Sequence, residues 1–79
     1  MVIKTLEHIH KLLLNDERVA KGMSDFAREE KYKAQDRFND DPSEKNKARL
    51  EEAKAECERL YEKWYLSHMV LDDFETQGF

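Results

Sequence analysis

The sequence predicts an all-α fold: an antiparallel hairpin of two long helices that completes a four-helix bundle as a homodimer. Three observations carry this. Turn-forming residues are scarce, with two glycines and one proline in 79 residues, whereas a sandwich or barrel needs a turn signal every ~8–12 residues. One strong break, Asn39-Asp40-Asp41-Pro42-Ser43, divides the chain into two halves of similar length. On each side of it apolar residues recur at spacings of three and four, the period of one helix face.

The first element is a helix over about 4–38. Ile3, Leu6, Ile9, Leu13 and Leu14 mark one amphipathic stretch, and Val19, Met23, Phe26, Ala27, Ala34 and Phe38 mark a second. Between them Asn15-Asp16-Glu17 can cap a new helix, and Gly22 costs about 1 kcal/mol relative to alanine in a helix interior. The half therefore reads either as one long helix, the preferred form, or as a helix kinked or split near residues 15–22. Glu7–Lys11, Glu17–Lys21 and Glu29–Lys33 are spaced to pair on its exposed face. A turn at 39–41 follows. Asp41 is the expected N-cap of the next helix, with Pro42 as its first residue and Glu44 reaching back as in a capping box.

The second helix spans about 42–75, with a short tail at 76–79, so residues 1–79 form a single domain. Its stripe runs Leu50, Ala53, Cys57, Leu60, Trp64, Ser67, Leu71, Phe74, alternating three and four without a slip. Tyr61, His68, Met69 and Val70 widen it beyond one narrow seam. Each helix would be about 50 Å long, and so short a connection forces them to fold back on each other. Phe38 then lies near the turn and Leu6 near Phe74. The acidic end Asp72-Asp73-Glu75 comes beside Lys4 at the positive end of the first helix.

A partner chain is expected because ordering each residue costs about 1.5 kcal/mol and one seam between two helices buries little apolar surface. The residues expected at the interface are Leu50, Cys57, Leu60, Tyr61, Trp64, Met69, Leu71 and Phe26. Tryptophan and tyrosine bury large area with few rotamers, which favours Trp64 as the anchor. The alternative is a bend near Asn15 that closes the chain into a three-helix monomer.

Charged residues are 41% of the chain, mixed in sign, which suits solvated helix faces. Residues 1–38 carry a net +1 and residues 39–79 a net −5. An acidic half without a basic stripe disfavours nucleic-acid binding. The N-terminal stretch lacks the continuous apolar core of a signal peptide, and no run approaches the ~18 apolar residues of a membrane span. A lone cysteine, Cys57, fits a reducing compartment. Membrane partners are not expected, and the location expected is cytoplasmic.

No residue pattern here points to catalysis, a cofactor or a metal. His8 and His10 stand two apart, on different helix faces, and with His68 they fall short of a converging ligand set. Cys57 lies on the apolar stripe with no histidine near it in sequence, so packing is its expected role. Glu51, Glu52, Glu56, Glu58 and Glu62 form a solvated acidic face that could meet a basic partner, with no pocket to raise one carboxyl pKa. The final acidic-aromatic segment, Asp72 to Phe79, reads as a frayed terminus rather than a presented peptide.

The opening TLEHIHKLL at 5–13, the charged centre and the closing LDDFETQGF at 71–79 resemble small uncharacterised helical proteins of phages and prophages of Gram-positive bacteria. Those open on a Thr-Leu-x-x-Ile-His helix and close on an acidic-Phe-Glu stretch with a terminal aromatic. The resemblance implies a phage-derived gene and an accessory or assembly role, and it brings no catalytic residues. The expected function is a non-enzymatic protein–protein interaction protein. The alternative is a nucleic-acid-associated regulator using Lys4, Lys11, Arg18, Lys21, Arg28, Lys31, Lys33 and Arg37 of the first helix in a dimer.

Overall fold

The computed structural model describes residues 2–77, with the side chains of 5–77. Helix α1 runs Val2–Asp40 and helix α2 runs Glu44–Thr76, and there is no strand among the described residues. α1 is continuous through Asn15 and Gly22. The three-helix alternative is therefore not adopted, and the chain is the two-helix hairpin. Its shape is a rod of 60 × 14 × 13 Å. The radius of gyration is 17.7 Å, against about 12 Å for a compact domain of this length.

Gly22 needs no special backbone conformation, and a methyl group added there would meet nothing within 4 Å. Only its entropic cost remains. Gly22→Ala is expected to raise stability by about 1 kcal/mol, read from the midpoint of urea unfolding.

The turn differs from the sequence expectation. The N-cap of α2 is Ser43, not Asp41, and the helix begins at Glu44 rather than at Pro42. The Ser43 hydroxyl accepts from the Asn46 amide at 3.2 Å, and the Asn46 side-chain amide donates to the Asp41 carbonyl at 2.8 Å. Asn46 thus grips the connection, and Pro42 stays outside the helix. α1 also continues through Asp40, past Asn39. Ser43→Ala should cost about 1 kcal/mol. Asp41→Ala should be near neutral, because Asp41 serves the turn through backbone atoms. Paired thermal melts of the two variants check both.

The seam of α2 follows the expected stripe. Leu50, Leu60 and Leu71 are buried, while Ala53, Cys57, Trp64, Ser67 and Phe74 are half-buried. The seam of α1 departs from expectation. It runs Leu6, His10, Leu13, Glu17, Ala20, Ser24, Ala27, Lys31, Ala34, Phe38, all buried or half-buried. The larger apolar residues Ile9, Leu14, Val19, Met23 and Phe26 lie off it and are exposed. The physical reason is size. Alanine at positions 20, 27 and 34 lets the helix axes come close, and it leaves room for the leucines and Trp64 of α2. Between Ala27 and Ala34 stands Lys31, half-buried and long enough to carry its ammonium to water past the seam.

This seam buries little. Its buried members are Ala20, Ala27, Leu50, Leu60 and Leu71, each still a few per cent exposed. The chain exposes 6365 Å², where a compact monomer of the same mass would expose about 5,000 Å².

Candidate functional site

Two polar bridges cross the seam in the half of the rod that carries the chain ends. In the first, the Trp64 indole N–H donates to Glu17 Oε1 at 2.9 Å. Trp64 stacks on His68 with centroids 5.3 Å apart and tilts against Tyr61 at 5.7 Å. His68 Nδ1 lies 3.7 Å from the same Glu17 oxygen. Three of these side chains come from α2 at spacings of three and four, which places them along one side of that helix. Glu17 comes from α1 and is only 21% exposed. Its carboxylate needs donors there, and the indole supplies one.

In the second bridge, His10 Nε2 lies 2.9 Å from Glu75 Oε2, and its ring stacks on Phe74 at 5.9 Å. Phe74 thus sits by His10, close to the level expected from Leu6. Glu75 meets α1 through His10, in the third turn of that helix; the Lys4 side chain, beside which the acidic end was expected, falls outside those described. The two bridges stand seven residues apart on α1, two helical turns, and together they fix the register of the hairpin. A slip of either helix would leave Glu17 without its indole donor.

The three histidines are dispersed. His8 is exposed, while His10 and His68 belong to different bridges. No three His, Cys, Asp or Glu side chains are grouped to hold a metal ion among the described residues. Cys57 is a free thiol, half-buried in the seam, beside Tyr61 in a shallow groove that Tyr32 and Arg28 of α1 also line.

The glutamates of α2 are exposed. Glu56 receives hydrogen bonds from Arg59, one from Nε at 3.1 Å, and these hold its carboxyl below the usual carboxylate range. The same pair raises the Arg59 guanidinium. A lowered carboxyl pKa favours the fold above the ordinary glutamate range and loses that contribution as pH falls through the lowered value. On a fully solvated surface the effect is small. The basic residues of α1 are likewise interleaved with acids: Arg28 pairs with Asp25 at 2.9 Å and Lys33 with Glu30 at 3.5 Å.

The expected interface residues divide into two groups. Leu50, Cys57, Leu60, Trp64 and Leu71 lie in the seam between the chain's own helices. Tyr61, Met69 and Phe26 remain 54%, 40% and 64% exposed. Sequence periodicity singled out Ile9, Val19, Met23 and Phe26 but not their place. With Leu12 they form a second stripe on α1, apart from the seam, all at least 37% exposed. Leu66 and Val70 of α2 join it on the same side, since both line one concavity with Asp16 and Leu13 of α1.

What fold and surface define is an all-α helical hairpin with a thin, polar-bridged seam and a long uncovered apolar side. No helix among the described residues is long and apolar enough to cross a membrane. Compared with protein-family models, with curated proteins and with solved structures, the chain matches none.

Proposed function

We propose that this chain is a non-enzymatic protein–protein interaction protein of accessory or assembly type, acting as a homodimer in which two hairpins form a four-helix bundle. The observation that supports it is the uncovered apolar stripe on α1, continued by Leu66 and Val70. Isolated exposed apolar residues are ordinary, but a contiguous set at helical spacing marks a surface that another protein covers. The surplus of about 1,300 Å² over a compact monomer is of the size that an obligate partner removes. The resemblance at 5–13 and 71–79 to phage and prophage proteins suits such a role; the last two residues of that ending lie outside the described ones.

Co-expression of two differently tagged copies tests the proposal. Purification through one tag should recover the other copy in comparable amount, and should still do so in high salt, because apolar contacts carry it. Recovery of one tagged species alone, from soluble folded protein, would overturn the homodimer.

A further inference from the structure

The uncovered side has a symmetry of its own. On α1 the positions Ile9, Leu12, Asp16, Val19, Met23 and Phe26 advance by three, four, three, four and three. The pattern reads the same from either end, about a point between Asp16 and Val19. On α2 the corresponding side is centred on Leu66, with Arg59 seven residues before it and Asp73 seven residues after. The two centres lie at the same level of the rod, because Glu17 bridges to both Trp64 and His68.

We infer that a second copy of this chain packs on this side in the antiparallel sense, about a two-fold axis that passes beside Asp16–Val19 and Leu66. The inference rests on the interaction reading above and names its surface and its geometry. A two-fold contact brings each residue against its mirror position in the pattern. Ile9 meets Phe26 of the second copy, Leu12 meets Met23, and Leu66 meets its own counterpart. Arg59 faces Asp73 with opposite charge, at both ends of the contact. Asp16, the one acid within the stripe, has Val19 as its mirror position beside the axis, and Lys63 of the second copy comes to a similar height there and supplies the opposite charge.

The other two-fold arrangement, with the axis along the rod, fails this matching. It would lay α1 on the second copy's α2 at equal height, placing Phe26 and Met23 against Arg59 and Lys63 and Leu12 against Asp73. Apolar side chains would then bury charges without partners, which is costly. The extent of the contact is also set by the sequence. Past Phe26 this side becomes charged, with Glu30 and Arg37 of α1 along a groove with Glu52 and Glu56 of α2. The overlap therefore ends there, and the two turns project from opposite ends of the dimer. The surplus surface of about 1,300 Å² per chain exceeds the roughly 800 Å² per partner of a standard interface.

A distance between the turns tests this. In the full chain carrying Cys57→Ser, a nitroxide is attached at Lys45→Cys, an exposed position beside the turn. Lys45 lies 21 residues from Leu66 at the axis, so the label-to-label distance should be roughly 60 Å at 1.5 Å per residue. A distance below roughly 30 Å in a particle of dimer mass overturns the antiparallel arrangement and leaves the homodimer standing. A particle of single-chain mass at every concentration overturns both. A second readout uses charge. Arg59→Asp and Asp73→Arg should each raise the dimer dissociation constant about tenfold, and the double variant should restore it. Singles that change nothing, or a double variant no better than either single, would overturn the facing of the two residues.

Discussion

Replacing Trp64 with alanine should cost about 3 kcal/mol and lower the melting temperature by on the order of 15 °C at fixed protein concentration. Three losses combine at this position. The indole fills the seam at the level of Ala20, where α1 supplies no bulk of its own. Its ring carries the stacking with His68 and the contact with Tyr61. Its N–H is a donor to a carboxylate that is only 21% exposed, and losing that partner leaves Glu17 short of a hydrogen bond in poorly solvated surroundings. Glu17→Gln separates these contributions. The amide oxygen can still accept from the indole, so the variant should lose clearly less than Trp64→Ala. Equal losses from the two would show that charge on Glu17, not ring packing, holds this part of the hairpin together. The readout is far-UV circular dichroism during heating.

Phe26→Glu should have the second large effect, and of a different kind. Phe26 is 64% exposed in the hairpin, and substitutions at exposed helix positions usually change stability by less than about 0.5 kcal/mol. If a second copy covers Phe26, the new carboxylate must be desolvated against an apolar neighbour. The dissociation constant should then rise by about a hundredfold or more. Sedimentation velocity at micromolar concentration would show the shift toward single-chain mass. Tyr32→Glu is the matched control, since Tyr32 is 58% exposed and lines the groove beside Cys57, apart from the stripe. A dimer equally weakened by both changes, or by neither, would remove the stripe on α1 from the interface.

How much of this was legible beforehand differs between the two helices. On α2 each position of the stripe from Leu50 to Phe74 occupies the seam, because large apolar residues at regular spacing leave one way to bury them. On α1 two stripes compete. Val19, Met23 and Phe26 outweigh Ala20, Ala27 and Ala34 in hydrophobicity, and hydrophobicity alone selects the wrong face. The signal that would have found the seam is the seven-residue recurrence Leu6, Leu13, Ala20, Ala27, Ala34. It is weak in a hydropathy pattern from Ala20 onward because the alanines are small, yet smallness is what allows close approach opposite Trp64 and Leu60.

The bridges were harder to read. Spacing makes Glu17 one partner in a surface pair with Lys21, and His10 one of three histidines that fall short of a ligand set. Their positions in the seam follow from the spacing once the alanines define it. The cap was misplaced for a related reason. Asp41-Pro42 is a strong helix-start signal, but Ser43 with Asn46 offers a second, and the side chain of Asn46 also closes the turn. Local sequence cannot rank two caps whose difference lies in a contact across the connection.

Everything distinctive about this chain follows from having more apolar surface than two helices can hide from water. Particle mass by light scattering, taken over a dilution series from hundreds of micromolar to below one micromolar and paired with circular dichroism, tests this most directly. The expected result is twice the 9.5 kDa of one chain, falling toward a single chain only where helicity falls with it. A fully helical, cooperatively melting particle of one chain's mass across the whole series would contradict it.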